Sequence, residues 1–229
     1  MLIMKIKTVK RVRDKMLTLK IIPAVLSVSR KDFVEKLELV KSFDFVQIDI
    51  CDGKFVDTKT VQPLDFYGLD FPKTEFHLMV KDIERYFEHL LKFNADVFVF
   101  HFEACKDDSE ILRLIKHIKN HCVKVGIAIN PETSILRVKK FLKFVDKVLV
   151  MTVHPKMQGQ KFIVKMLSKI KALRKLDKNL DIEVDGGINA DSILLAKKAG
   201  ANLFVVGSAI VRAENPLIEF KRLSNMLKK

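Results

Sequence analysis

The stretch IEVDGGINADSILLAKKAGANLFVVGSAIV, residues 182–211, decides the fold. A short apolar strand (181–184) runs into a glycine pair, a helical pattern spans 190–199, and a second short strand (203–206) runs into Gly207-Ser208. The apolar period switches from two to 3.6 and back, the signature of a β-helix-β unit. Glycines at the two strand ends let backbone N–H groups approach an anion, and helix N-termini favour negative charge.

The same unit recurs upstream. Strands are predicted over 19–22, 45–50, 73–79, 97–102, 123–129 and 147–153. Helices are predicted near 31–40 (capped by Asp32 or a neighbouring serine), 82–91, 109–120, after Thr133, near 162–176 and over 216–227. That makes eight βα units of about 25 residues each, with no linker or composition shift between them. The predicted fold is α/β, a single (β/α)8 TIM barrel over residues 19–229. A doubly wound open sheet would need a glycine-rich turn after its first strand. Here that turn reads PAVLSVS and contains no glycine.

Composition narrows the function. Hydrophobic residues are 48% and charged residues 31% of 229, as in soluble globular domains. No apolar run reaches the ~20 residues of a membrane span. Cys51, Cys105 and Cys122 form no CxxC pair, so reduced thiols and a cytoplasmic location are expected. The net charge of +14 comes from scattered lysines without an aromatic platform, which argues against nucleic acid and suits an anionic small molecule. Residues 1–18 carry Lys5, Lys7, Lys10, Arg11, Arg13 and Lys15 against one acid, Asp14, and read as a basic N-terminal extension.

In a barrel of this kind the active site forms at the C-terminal strand ends. Polar residues there are Gln47, Asp49, Asp52, His77, His101, Glu103, Asn130, His154, Asp185 and Ser208. Strand alternation sends Gln47, Asp49 and Cys51 into the barrel mouth and Ile48 and Ile50 outward beneath helices. Two carboxylates, Asp49 and Asp185, converging from two strands can handle protons on both faces of a carbon atom. With His77 they form a ligand set suited to zinc, iron or manganese. Gly186, Gly187, Gly207 and Ser208 follow the seventh and eighth strands, where barrels of this type bind phosphate.

In order, the motifs IIPAVLS, VQIDICDGKFV, FHLMV, VFHFEA, GIAINPET, VLVMTVHPKMQGQKF, IEVDGGIN and FVVGSAIV resemble the ribulose-phosphate 3-epimerase family, over about residues 19–211. The resemblance implies interconversion of ribulose 5-phosphate and xylulose 5-phosphate through an enediolate, with one divalent metal ion (zinc, iron(II), manganese or cobalt). It makes Asp49 and Asp185 the acid/base pair and metal ligands, and His77 a further ligand. Met79 and Met151 then line the site, with Ser27, Gly159, Gly186, Gly187, Gly207 and Ser208 around substrate and phosphate. A phosphosugar is the expected partner, and a homo-oligomer is implied by resemblance alone.

Four departures mark this chain. Gln47 stands where the family usually has a fourth ligand, histidine. Ala24 replaces a substrate-contacting serine, with Ser27 close by. Cys51 replaces methionine and reads as packing. Lys156-Met157-Gln158 replaces a glycine run, leaving Gly159 and Gln160. The rival functions are epimerisation of another ketose phosphate such as allulose 6-phosphate, and silent phosphosugar binding. The Asp-x-Lys-x-x-Asp signature of orotidine-phosphate-decarboxylase-like lyases is missing.

Overall fold

Eight parallel strands hydrogen-bond in sequence order and close on themselves: β1 (Lys20–Val25), β2 (Phe45–Cys51), β3 (Lys73–Met79), β4 (Ala95–His101), β5 (Lys124–Ile129), β6 (Lys147–Met151), β7 (Asp181–Asp185) and β8 (Leu203–Val206). The closing seam pairs Lys20 with Leu203 and Pro23 with Val206. The structure, a computed structural model, describes residues 17–155 and 160–228. The extension predicted over 1–18 therefore lies almost wholly outside the described residues.

Alternation along each strand sorts side chains between two cores. Outward residues such as Val46, Ile48, Ile50, Phe76, Phe98 and Val184 pack beneath the helices with Phe33, Leu37, Phe87, Leu114, Ile170, Ile193 and Leu223. Inward residues Ile22, Ala24, Val97, Val99, Ala128, Leu149, Met151 and Val205 fill one side of the barrel interior. The outward placement expected for Ile48 and Ile50 is what the structure contains.

The helices are α1 (Arg30–Val40), α2 (Ile83–Leu90), α3 (Asp108–Asn120), α4 (Ile135–Val138), α5 (Met166–Leu176), α6 (Ala190–Ala199), α7 (Ser208–Val211) and α8 (Pro216–Lys228). Ser29 is the cap of α1, its side chain accepting from the Asp32 N–H. The expected eight-stranded barrel is what the structure contains, but the unit after β2 has no α-helix. There the chain runs through a bridge between Asp52 and Lys59 and a 3-10 turn, Pro63–Phe66, with no α-helix before β3. Gly53, Pro63, Gly68 and Pro72 break that segment. The helix after Thr133 is a single turn, and α5 begins at Met166 rather than near Phe162. Residues 160–165 instead lie along the barrel mouth, with the Ile163 N–H donating to the Thr152 carbonyl at 2.7 Å.

The floor of the interior is charged. Lys147 Nζ donates to Glu183 Oε2 at 2.6 Å and also to Glu75 Oε2, all three side chains being nearly inaccessible. Burial and then repulsion from Glu75 push the Glu183 carboxyl well above the usual carboxylate range. Glu75 and Glu183 lie two residues before His77 and Asp185, so this triad sits one inward layer beneath them.

Candidate active site

β2 and β3 pair in register, with Asp49 beside His77 and Gln47 beside Glu75. Asp185 ends β7. These strands bring the side chains together at the mouth: His77 Nδ1 lies 3.0 Å from Asp49 Oδ1 and 3.5 Å from Asp185 Oδ2. Gln47 Nε2 donates to Asp49 Oδ1 at 2.7 Å and to Asp185 Oδ2 at 2.8 Å. His77 and Gln47 are fully buried, Asp49 is nearly so, and Asp185 is the most exposed of the four.

Electrostatics here are strongly perturbed. Burial pushes the Asp49 carboxyl up, and repulsion from Asp185 adds to this against hydrogen bonds from His77 and Gln47. Burial opposes charge on His77, but hydrogen bonds to Asp185 and Asp49 outweigh it and raise its pKa to about 10. Burial lowers the pKa of His101 to about 4, against its hydrogen bond to Glu103. Burial of Glu103 is outweighed by hydrogen bonds from His101, Thr133 and the Asn130 N–H, which hold its carboxyl below the usual range.

Asp49, His77 and Asp185 offer ligand atoms all within 4.8 Å of one another. Imidazole and carboxylate donors fit a divalent first-row metal. Gln47 supplies a second indication, since its Oε1 is buried without a hydrogen-bond partner. A half-turn of the amide exchanges Oε1 with Nε2 and turns a carbonyl oxygen toward the same ligand atoms. A second acid-and-histidine group, Glu84, Glu88 and His117, lies between α2 and α3, where Arg113 pairs with Glu84 at 2.6 Å.

The pocket above the ligand atoms encloses about 580 Å³, its open mouth included. Asp49, Met79, Met151, Asp185, Gly186, Gly187, Gly207 and Ser208 all line it, as do Ala24, Leu26 and Gln160. Gly186 and Gly187 have φ of +114° and +65°. A Cβ on Gly186 would come within 2.4 Å of Val153, and one on Gly187 within 2.5 Å of the Phe162 nitrogen. Both the conformation and the close approach therefore require glycine.

One sequence candidate among the described residues is not brought into this wall. Ser27 is 2% exposed and follows Leu26, which lines the pocket in its place. Gly159, with Lys156, Met157 and Gln158, lies outside the described residues. Cys51 is buried, its Sγ 4.0 Å from Met79 Sδ, and burial pushes its thiol above the ordinary range, in keeping with packing.

Sequence reasoning missed the supports of the two aspartates. Thr60 Oγ1 accepts from the Cys51 N–H at 2.9 Å and donates to the Asp49 carbonyl at 3.1 Å. Thr152 donates from its N–H and its hydroxyl to the Asp185 carbonyl, at 2.7 and 2.9 Å. Both threonines lie outside the strands they brace, so periodicity gives them no mark.

A family model described as the ribulose-phosphate 3 epimerase family matches residues 20–211. Ribulose-phosphate 3-epimerase of Bacillus subtilis (strain 168) is 36% identical over 203 residues, 84% of this chain and 92% of that protein. The cytoplasmic isoform of Oryza sativa subsp. japonica is 38% identical over 179 residues, 76% of this chain and 78% of that protein. Among solved structures, 3-hexulose-6-phosphate synthase from Salmonella typhimurium superimposes with a TM-score of 0.68 at 17% identity, covering 92% of this chain and 99% of that one. At that identity the likeness is one of fold.

Proposed function

Because the chain belongs to the ribulose-phosphate 3-epimerase family, we propose that it interconverts D-ribulose 5-phosphate and D-xylulose 5-phosphate by inverting C3. The observation that carries this reading is the convergence of Asp49 and Asp185 on one imidazole, in a pocket whose wall includes two glycine-rich turns.

The C3 proton of a 2-ketose phosphate is acidified by the neighbouring carbonyl. Asp49 and Asp185 work as a two-base pair: one carboxylate removes the proton from one face, and the other carboxyl delivers a proton to the opposite face. The reverse reaction exchanges their roles. Burial, with repulsion from Asp185 added, raises the Asp49 carboxyl above the usual carboxylate range, which suits Asp49 to the acid role in one direction. When bound, a zinc, iron(II), manganese or cobalt ion held by Asp49, His77 and Asp185, with Gln47 turned to present Oε1, would supply Lewis-acid stabilisation of the developing negative charge.

The backbone at Gly186, Gly187, Gly207 and Ser208 receives the phosphate and fixes the distance from it to C3. Met79 and Met151 exclude water from the carbanionic centre. A cytoplasmic location rests on the free cysteines and on the cytoplasmic isoform among the relatives. Among the described residues no helix is long and apolar enough to cross a membrane. Sedimentation of the purified protein tests the homo-oligomer.

The deciding experiment is a coupled assay of ribulose 5-phosphate conversion to xylulose 5-phosphate, on metal-stripped protein with zinc, iron(II), manganese or cobalt restored. Metal-dependent turnover is expected. Folded protein that stays inactive with every metal, yet turns over allulose 6-phosphate or binds phosphosugars silently, overturns the assignment.

A further inference from the structure

Behind His77 a line of hydrogen bonds leads away from the ligand atoms. His77 Nε2 lies 2.9 Å from His101 Nε2. The ring centroids are 5.0 Å apart with 22° between planes. With so short an N···N distance, rings this far apart meet edge to edge, as a hydrogen bond requires. His101 Nδ1 lies 3.4 Å from Glu103 Oε2. Both imidazoles are fully buried, and the Phe55 ring covers His101 at 4.8 Å.

The polarity of this line is fixed at its far end. Glu103 Oε1 accepts from the Asn130 backbone N–H at 2.9 Å and from the Thr133 hydroxyl. A backbone N–H cannot reverse its role. Lys169 Nζ holds that loop by donating to the carbonyls of Asn130, Pro131 and Thr133 at 2.8, 3.0 and 2.7 Å. Glu103 Oε2 is an acceptor too, so the facing His101 Nδ1 carries its proton. Neutral His101 then presents a lone pair at Nε2, and the single proton between the rings belongs to His77 Nε2. With Nε2 committed to His101, His77 Nδ1 is the nitrogen open to a metal, and any second proton there is the one a metal displaces.

We infer that His101 and Glu103 are positioning residues which set the tautomer of His77 and so tune metal affinity at Asp49, His77 and Asp185. The inference rests on the metal-dependent reading above. It makes a sharp demand on Glu103→Gln, which is nearly isosteric. The Asn130 N–H retains the amide oxygen, so the new NH2 group faces His101 Nδ1 and requires a lone pair there. The His101 proton moves to Nε2 and points at His77 Nε2, and the His77 proton moves to Nδ1, where it competes with metal.

The test titrates metal-stripped wild type and Glu103→Gln with Co(II), followed by its visible absorption, alongside thermal melting of both metal-free proteins. The expected result is Co(II) binding weakened about 10- to 100-fold with melting unchanged. Equal Co(II) affinity in the two proteins overturns the inference, as does a loss of melting temperature with unchanged affinity, which marks Glu103 as merely structural. Failure of the wild type to bind Co(II) overturns the metal reading itself. Should the variant not fold, ring 15N shifts of the wild type decide. His101 protonated at Nδ1 and bare at Nε2 is expected; the opposite tautomer overturns the inference.

Discussion

The side-chain amide of Gln47 spans two carboxylates, donating from Nε2 to Asp185 Oδ2 at 2.8 Å and to Asp49 Oδ1 at 2.7 Å. In the metal-free site this amide offsets part of the repulsion between two aspartates that share one imidazole. Gln47→Leu removes both hydrogen bonds and adds no donor. It is expected to destabilise the metal-free protein by about 2–4 kcal/mol, since hydrogen bonds to charged groups contribute more than neutral ones. Urea unfolding of metal-stripped protein measures this, and an unchanged midpoint sinks the idea. Gln47→His should instead tighten Co(II) binding, imidazole being a better donor than an amide carbonyl.

Both carboxyls are needed for inversion. Asp185→Asn keeps the hydrogen bond from Gln47 within reach of its amide oxygen and so should fold normally. Epimerisation should fall about a thousandfold, within the range of acid–base contributions. Exchange of the C3 proton with deuterated solvent is the sharper readout. A one-sided enzyme can still exchange the proton of one epimer while failing to interconvert the two. Near-normal turnover in the variant removes the two-base mechanism.

Glycine is required twice where the phosphate is proposed to bind. Gly187→Ala places a Cβ 2.5 Å from the Phe162 nitrogen at a residue with φ of +65°. The strand-to-helix turn must shift, carrying its backbone N–H groups with it. KM for the phosphosugar should rise at least about tenfold, equivalent to 1.4 kcal/mol, and competitive inhibition by inorganic phosphate should weaken in parallel. A raised KM with undiminished phosphate inhibition would place the phosphate elsewhere.

Metal binding should depend on pH through His77. With its pKa raised to about 10 in the metal-free protein, Nδ1 holds a proton at neutral pH that a metal must displace. Affinity for Co(II) should therefore rise about tenfold per pH unit toward that value. The sign for stability follows from the same shift. A histidine raised above its unfolded pKa stabilises the fold fully below about 6.5 and loses that contribution as pH climbs through about 10. Calorimetry in buffers of different ionisation enthalpy counts the protons released; zero release refutes this account.

Asp49, His77 and Asp185 are legible in the sequence because each is an inward position at a strand end, and barrels place their chemistry there. The shared proton between His77 and His101 is not legible. The β3–β4 register pairs His77 with Val99, so its contact with His101 is a diagonal one that strand periodicity does not mark. The missing helix after β2 was hidden by counting strands, although Gly53, Pro63, Gly68 and Pro72 mark that segment as broken. Lys147 reads as an ordinary basic residue at a strand start. Only the closed barrel brings it to Glu75 and Glu183, 72 and 36 residues away in the chain.

That triad carries the last prediction. Burial and repulsion from Glu75 push the Glu183 carboxyl well above the usual carboxylate range, which favours its neutral form beside the Lys147 ammonium. Glu183→Gln reproduces the neutral acid. Its carbonyl oxygen accepts from Lys147 and its NH2 group donates toward Glu75, so stability should change by less than about 1 kcal/mol. Lys147→Met removes the ammonium that both buried glutamates pair with, which should cost about 3–5 kcal/mol. Denaturant unfolding of the two variants at neutral pH separates the cases. If Glu183→Gln proves as damaging as Lys147→Met, both glutamates are ionised and the floor of the barrel carries a net negative charge beneath the metal ligands.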